Sequence, residues 1–297
     1  MRLIDAAELR RRLPMRAAVD ALEAAFATGV PPVPLRMHAT TPDGELLLMP
    51  AAGPQGVGVK LISLTPANPE RGRPFVQGTY TLFDAGSQEP VAAIDGAALT
   101  ALRTGAVSGL ATRWLARADA RRLVVFGAGV QARSHVEAMR AVRDLEDVAI
   151  VARTPAGADA LAAELGARAG TPEDARTADI VCTCTTSPTP VLEGETLRPG
   201  AHVNAVGAYT PDTREVDTAT VARARVVVET REVADAEAGD LLIPIGEGAV
   251  AADHVVADLE RLVTGAEVRR SPEDVTLFVS VGLAFEDLVV ARAVVDA

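Results

Sequence analysis

Aromatic residues and cysteines are scarce in this chain of 297 residues. Only 3% of the chain is aromatic, so Ala, Val and Leu must do most of the packing. The two cysteines, Cys182 and Cys184, alternate along a predicted strand, a spacing poorly suited to a mutual disulfide. No secretion signal is visible, and no uncharged apolar run is long enough to cross a membrane. We therefore expect two buried thiols in a cytoplasmic protein.

Positive charge is also in short supply. The chain has 29 basic and 40 acidic residues and a net charge of -11, which excludes nucleic acid as an expected partner. Lys60 is the only lysine among them, and its flanking residues Val57, Val59, Leu61 and Ile62 look buried. A compact ammonium that can lose its proton when desolvated is a candidate for chemistry. A surface lysine retained by chance is the alternative.

The strongest local pattern lies at residues 121–139. The apolar run Leu123–Phe126 leads into Gly127, and Gly129 and the small residue Ala132 follow before an amphipathic segment. This pattern predicts a buried parallel strand, a tight turn and a helix whose unpaired N-terminal amides bind a pyrophosphate. Glycines that form only an ordinary turn are the alternative.

The segments before and after this turn differ in their periodicity. A helical pattern over residues 1–28 precedes segments that predict mainly antiparallel strands, among them Gly56–Leu64. After the turn, strand-like and helix-like segments alternate, and residues 251–263 are predicted to be helical. The alternation predicts a doubly wound parallel sheet.

The chain is therefore predicted to be an α/β protein with two domains. Residues 117–282 would form a Rossmann domain, and residues 1–116 a smaller β-rich domain. We expect the C-terminal helix, residues 283–297, to return to the β-rich domain.

The end of the second strand of such a fold distinguishes the two nicotinamide cofactors. An acid there accepts a hydrogen bond from the ribose 2′-OH, whereas an arginine and a hydroxyl suit a 2′-phosphate. Here Val148–Val151 is followed by Ala152, Arg153 and Thr154, with no acid. We predict NADP(H), with NAD(H) bound beside an exposed loop arginine as the alternative. The candidate cofactor-binding residues are Gly127, Ala128, Gly129, Val130, Gln131, Arg153, Thr154, Thr185, Thr186 and Val206.

Three cationic residues lie in segments of the first domain that look buried: Arg36, Lys60 and Arg103. Desolvation of a cation is costly without an anionic partner, and few acids lie near them in sequence. A ligand carboxylate would suit three converging cations. A salt bridge to a protein carboxylate is the alternative for each cation taken alone.

Four motifs together resemble the ornithine cyclodeaminase/mu-crystallin family. They are Arg103–Ser108, Gly127–Ala132, Val203–Glu215 and Ser280–Ala284. The resemblance implies a Rossmann domain that binds NAD(P), and a β-rich domain that binds an amino or imino acid and pairs into a homodimer. It also implies that Arg36, Lys60 and Arg103 hold the carboxylate of the substrate.

The chain departs from the family pattern at two positions. Tyr209 stands where true cyclodeaminases carry the aspartate that handles the substrate amine, and Val279 replaces a lysine found in many members. A phenol is neutral near pH 7 and cannot replace a resting carboxylate, which disfavours ornithine cyclisation. Tyr209 is a candidate proton relay, with a loop aromatic that lines the cofactor pocket as the alternative.

We therefore predict an NAD(P)H-dependent oxidoreductase that acts on a cyclic imino acid, a ketimine or an α-amino acid. Arg36 and Arg103 would fix the carboxylate, and Lys60 would contact it or protonate the imine. The alternatives are a cyclodeaminase-type lyase with tightly held NAD, and a non-catalytic protein that binds NADP or a small ligand. No metal site and no nucleic-acid or membrane partner is predicted.

Overall fold

The computed structural model describes residues 1–297 and contains fourteen β-strands and ten α-helices. The strands are β1 (Arg2–Ile4), β2 (Met37–Thr41), β3 (Gly44–Gly53), β4 (Gly56–Leu64), β5 (Val76–Phe83), β6 (Pro90–Asp95), β7 (Arg122–Phe126), β8 (Asp147–Val151), β9 (Arg168–Ala169), β10 (Ile180–Thr183), β11 (His202–Ala205), β12 (Ala224–Val228), β13 (Val255–Asp258) and β14 (Val275–Val279). The helices are α1 (Ala6–Arg12), α2 (Met15–Ala27), α3 (Gly96–Leu115), α4 (Val130–Val142), α5 (Pro155–Leu165), α6 (Thr218–Arg223), α7 (Arg231–Glu237), α8 (Gly239–Gly246), α9 (Leu259–Val263) and α10 (Ala284–Asp296). None of these helices combines the length and the apolar character needed to traverse a lipid bilayer.

The chain forms two compact units. Unit 1 comprises Met1–Arg103 together with Leu283–Ala297, and unit 2 comprises Thr104–Gly282. The division falls inside the 20-residue helix α3, earlier than the expected boundary after residue 116. The roles expected of the two domains remain predictions.

Unit 1 is built on a six-stranded mixed sheet in the order β1-β6-β5-β4-β3-β2. Strands β2 to β6 pair antiparallel, whereas β1 runs parallel to β6. The segment predicted to be helical over residues 1–28 consists of β1 and two helices separated at Pro14. Asp5 caps the first of these helices by accepting a hydrogen bond from the Glu8 amide at 2.8 Å.

The two faces of the unit 1 sheet differ in their exposure. Burial alternates strictly along β4, and the buried face carries Lys60. Helix α10 packs on this face and contacts β3, β4 and β5. The opposite face is partly exposed and mainly apolar, with Leu48, Val59, Leu61 and Phe83 among its side chains and with Thr79 and Thr81 beside them.

Unit 2 is built on an eight-stranded sheet in the order β13-β12-β14-β11-β10-β7-β8-β9, and every pair of neighbours is parallel. From β7 the order runs outward through β8 and β9 on one side and through β10 and β11 on the other. This reversal is the arrangement of a doubly wound sheet. Strands β10, β11 and β14 are buried along their whole length, as parallel strands covered on both faces must be. The predicted fold class is confirmed.

Residues 251–263 do not form the predicted helix. Val255–Asp258 is a strand, which pairs in parallel with β12, and only Leu259–Val263 is helical. Val255 and Ala257 are buried and alternate with partly exposed neighbours, which is the period of a strand. Asp258 then caps α9 by accepting a hydrogen bond from the Arg261 amide at 2.9 Å.

One buried carboxylate joins two loops at the carboxyl edge of the unit 2 sheet. Glu215 accepts hydrogen bonds from the amide and hydroxyl of Thr185 at 2.6 and 2.5 Å, and from the amide of Gly207 at 2.6 Å. Thr185 follows β10 and Gly207 follows β11. A side chain at Gly207 would overlap the Glu215 carboxylate, so this contact requires glycine. Burial raises the pKa of Glu215.

Asp240 of α8 supports the segment that carries Glu215. Its Oδ1 accepts hydrogen bonds from the amides of Glu215 and Val216 at 2.8 and 3.0 Å, while its buried Oδ2 has no partner. Burial raises the pKa of Asp240 to about 7. Gly239 allows this close approach, since a Cβ there would overlap the carbonyl oxygen of Thr213.

We expect Glu215→Gln to lower the free energy of unfolding by about 1–3 kcal/mol, because an amide NH2 would face a buried N–H donor that then has no acceptor. Urea unfolding followed by circular dichroism measures the change. Glu164→Gln is the matched control, since it alters an exposed carboxylate paired with Arg133 and should leave the midpoint almost unchanged. Equally small effects of the two substitutions would show that Glu215 does not tie the loops together.

Candidate active site

The glycine turn after β7 has a conformation that excludes side chains. Gly127 has a φ of +118°, in the left-handed region that glycine favours. A Cβ on this residue would overlap the carbonyl oxygen of Cys184, and its amide donates to the Val151 carbonyl at 2.7 Å. The chain can therefore pass directly from β7 to α4.

The surroundings of Gly129 differ from those of Gly127. No protein atom lies within 4 Å of the position that a Cβ would take there, so packing within the protein does not require glycine. Helix α4 begins at the next residue, and the Arg133 amide bonds back to the Gly129 carbonyl at 3.2 Å. The amides of Val130, Gln131 and Ala132 precede this first helical bond and are not used within the helix.

These features fit the pyrophosphate of a dinucleotide. Unused amides at a helix N-terminus carry partial positive charge and bind anions, and the space above Gly129 lets a phosphate approach the backbone. Gln131 contributes a buried side-chain oxygen without a partner, which a ligand hydroxyl could satisfy. Ala132 is fully buried, as predicted for close packing of the helix on its strand. Ala128 is half-buried within the same turn.

The end of β8 carries an exposed cation. Arg153 and Thr154 are both exposed, directly after the strand, and Thr154 is the N-cap residue of α5. No protein group forms a hydrogen bond or an ion pair with the Arg153 guanidinium. A 2′-phosphate could therefore bind to it without displacing a protein partner.

The other candidate residues for cofactor binding follow β10 and β11. Thr185 is half-buried and bonded to Glu215, Thr186 is exposed, and Val206 is half-buried. They lie at the carboxyl edge of the sheet, where ligands bind in this architecture. Tyr209 is half-buried in the loop after β11. The roles of these residues toward a ligand remain predictions.

The two cysteines differ from each other in exposure. Both thiols are free, Cys182 is fully buried, and Cys184 is partly exposed. Burial raises the pKa of Cys182 to about 12, so this thiol is inert at neutral pH. Burial also raises the pKa of the Cys184 thiol, although part of this residue is exposed. The expectation of two buried thiols is thus confirmed for Cys182 and also fits the thiol of Cys184.

In unit 1, two of the predicted cations meet two carboxylates at the start of α10. Lys60 Nζ lies 2.9 and 2.8 Å from Oδ1 and Oδ2 of Asp287. Arg103 donates from Nε to Asp287 Oδ1 at 3.1 Å and from Nη1 to Glu286 Oε2 at 3.0 Å. None of the four side chains is more than 6% exposed. The protein thus supplies anionic partners for Lys60 and Arg103 itself. A salt bridge to a protein carboxylate was the alternative for each cation taken alone.

The third cation lies near this cluster. Arg36 is half-buried before β2, and its charge, like that of Arg103, lowers the pKa of Lys60. Burial is the largest cause, Asp287 opposes it, and the resulting pKa of Lys60 is about 8. An amine with this pKa can hold or release a proton close to neutral pH. The structure therefore brings together the three cations that the sequence singled out.

Hydrogen-bonding capacity remains unused around Lys60. Its ammonium carries three N–H donors, and Asp287 is the only protein group that accepts from them. Tyr80 lies opposite Lys60 on β5, and its buried hydroxyl has no partner. Burial raises the pKa of Tyr80, which keeps this hydroxyl protonated as a donor. Because unsatisfied buried donors are costly, both groups are suited to a polar ligand.

Reasoning from the sequence missed the carboxylates that complete this arrangement. Glu286 and Asp287 are separated from Arg103 by 183 and 184 positions, so no local pattern joins them. The available signal was two adjacent acids in an otherwise apolar predicted helix. Glu215 is the last residue of the motif Val203–Glu215, and its contact with Thr185 also depends on the tertiary fold.

Glu229 is a further carboxylate without a predicted role. At the end of β12 it accepts hydrogen bonds from the Ser280 hydroxyl at 2.7 Å and from the amides of Val281 and Gly282 at 3.0 Å. Gly282 has a φ of +90°, which suits glycine. Glu229 thus holds the motif Ser280–Gly282 in place after β14.

The comparisons with known proteins agree with one another. The model of the ornithine cyclodeaminase/mu-crystallin family matches residues 2–297. The delta(1)-pyrroline-2-carboxylate reductase of Bacillus cereus is 41% identical over 258 residues, which cover 83% of this chain and 79% of that protein.

Solved structures match over the full length of the chain. The delta(1)-pyrroline-2-carboxylate reductase of Thermococcus litoralis in complex with NADH and L-proline has a TM-score of 0.94 and 34% identity, and the match covers 100% of this chain and 97% of that one. An archaeal alanine dehydrogenase dimer with bound NAD has a TM-score of 0.92 and 30% identity, covering 100% and 95%. The family resemblance carried by the four motifs is confirmed, and the protein belongs to the ornithine cyclodeaminase/mu-crystallin family.

Proposed function

We propose that this protein is an NAD(P)H-dependent oxidoreductase that acts on a cyclic imino acid, a ketimine or an α-amino acid. The observation that carries the proposal is the buried ammonium of Lys60, which keeps an unused donor near Arg36 and Arg103. The relatives support it, since two of them are pyrroline-2-carboxylate reductases and one is an alanine dehydrogenase.

The three cations have different roles toward the substrate: the two arginines bind it, and the lysine protonates it. Arg36 and Arg103 bind its carboxylate, because guanidinium groups form strong charge-assisted hydrogen bonds to carboxylates. Lys60 donates a proton to the imine nitrogen through an N–H that the protein leaves unused. Tyr209 remains a candidate relay that returns a proton to the site.

Helix α4 and the glycine turn would hold a dinucleotide by its pyrophosphate. A bound nicotinamide would supply a hydride to the Cα of the imine, and the proton from Lys60 would complete the amine at nitrogen.

Lys60→Met tests this role. We expect the turnover of pyrroline-2-carboxylate with NADPH or NADH to fall by roughly 10²–10⁴-fold, because the proton donor is lost. The loss of reduced nicotinamide absorbance measures turnover, and cofactor fluorescence should show unchanged binding. Arg10→Met, an exposed change on α1, is the control and should behave as the wild type.

Near-normal turnover in Lys60→Met would overturn the role of this residue. Release of ammonia from ornithine without net change in the cofactor would instead identify a cyclodeaminase. Cofactor binding without conversion of any imino or amino acid would identify a binding protein.

For the cofactor, we propose a preference for NADPH over NADH. The support is the exposed Arg153 guanidinium beside Thr154, with no acid at the end of β8. The two related structures contain NADH and NAD, so the preference concerns this chain's own residues.

Arg153→Ser tests the preference. We expect it to weaken NADPH binding by roughly 10- to 100-fold through the loss of a charge-assisted contact, and to leave NADH binding unchanged. Fluorescence titration with both cofactors provides the measurement, and Arg10→Ser is the matched control. Equal losses for the two cofactors would show that Arg153 does not contact a 2′-phosphate.

We further propose that the protein is a homodimer that pairs through the partly exposed face of the unit 1 sheet. That face is apolar on the central strand β4, where Val59 and Leu61 point away from α10. Apolar sheet faces are normally covered in solution. A related alanine dehydrogenase is described as a dimer.

Leu61→Glu should convert the dimer to a monomer, because a buried carboxylate without a partner is costly at an interface. Light scattering after size exclusion should give twice the chain mass of 30.8 kDa for the wild type and the single mass for the variant. Ala163→Glu, at an exposed residue of α5 in unit 2, is the control and should remain dimeric. A monomeric wild type would contradict the proposal.

A further inference from the structure

The proposed chemistry uses Lys60 but gives no role to the buried carboxylate that touches it. We infer that Asp287 is a positioning residue, which orients the Lys60 ammonium and keeps it protonated for donation to the substrate. The inference rests on the proposed function, because it names the group that controls the proposed proton donor.

The geometry of Asp287 fits this role. Its Oδ1 accepts from both Lys60 Nζ and Arg103 Nε, at 2.9 and 3.1 Å, and its Oδ2 lies 2.8 Å from the same Nζ. One carboxylate therefore fixes the distance between a proton donor and a carboxylate-binding guanidinium. The contact joins the middle of β4 to the first turn of α10. The partial positive charge at a helix N-terminus favours an anion at this position.

The charges around Lys60 explain why Asp287 controls the protonation of its amine. The titratable and charged groups near Lys60 are Arg36 before β2, Tyr80 on β5, Arg103 on α3, and Glu286 and Asp287 on α10. Burial and the two guanidinium groups favour the neutral amine, whereas Asp287 favours the ammonium. Without the Asp287 charge, Lys60 would lose its proton at a lower pH.

The composition of the chain allows a direct test. Lys60 is the only lysine, so lysine labelled with ¹³C at Cε gives a single resonance whose titration reports this amine alone. We expect Asp287→Asn to lower the midpoint by about one pH unit or more relative to the wild type. Asp296→Asn is the matched control, because Asp296 is an exposed acid on the same helix that pairs with Arg292. An unchanged midpoint in Asp287→Asn would overturn the inference.

The pH profile of imine reduction provides the second readout. Proton donation requires the ammonium, so the rate should fall as pH rises through the pKa of Lys60. In Asp287→Asn, this alkaline limb of kcat/KM should move to lower pH by the same amount as the resonance. A rate lowered equally at every pH, with the limb unmoved, would indicate a merely structural role. The titration needs no turnover, so a chain that reduced no imine would refute the proposed function without affecting the titration result.

Asp287→Glu is a second variant that tests the same role if Asp287→Asn does not fold. The carboxylate is retained, so we expect the midpoint of Lys60 to stay near that of the wild type. The longer side chain displaces Nζ from its position beside the imine, so kcat should fall while the KM for the imine stays close to the wild-type value. A wild-type kcat in Asp287→Glu, or a kcat and a KM that change together, would contradict the positioning role.

Discussion

The burial of Lys60 and Arg103 constrains unit 1 more than any other feature. Each cation is taken out of water, and such a step is tolerable only where a carboxylate lies in direct contact. Asp287 and Glu286 provide that contact from a helix whose sequence position is more than 180 residues away. The same ion pairs that make the buried ammonium possible therefore hold the C-terminal helix on the sheet of unit 1. Removal of Asp287 would leave the Lys60 ammonium without its acidic partner, whereas Arg103 would keep Glu286.

Buried carboxylates also organise unit 2, although there they accept from backbone amides. Glu215 joins the loops after β10 and β11, and Glu229 holds the segment after β14. Loops at the carboxyl edge of a doubly wound sheet carry the ligand-binding residues, and they bind with precision only when their backbones are fixed. The same chemical group thus holds the Lys60 ammonium in one unit and fixes the loops at the carboxyl edge of the sheet in the other.

The sequence predicted those parts of the molecule that depend on local patterns. The run from Leu123 to Gly129 contains strand, turn and helix start within a few residues, and all three are found where expected. Residues 251–263 were misassigned because β13 is a short strand, whose alternation is hard to distinguish from a helical pattern beside α9. Lys60 could be singled out because lysine occurs only once, and Arg36 and Arg103 because apolar or small residues flank them. Their acidic partners could not, since a contact between Lys60 and Asp287 depends on the tertiary fold and leaves no local trace.

The central claim is that a hydride and a proton are added across a C=N bond held by the unit 1 cations. The most direct measurement is the reduction of pyrroline-2-carboxylate with cofactor deuterated at the transferable position of the nicotinamide, followed by mass spectrometry and NMR of the product. We expect one deuterium on the Cα of the amino acid product and none on its nitrogen after exchange in ordinary water. A product without deuterium at Cα, or no conversion while the cofactor is bound, would contradict the claim.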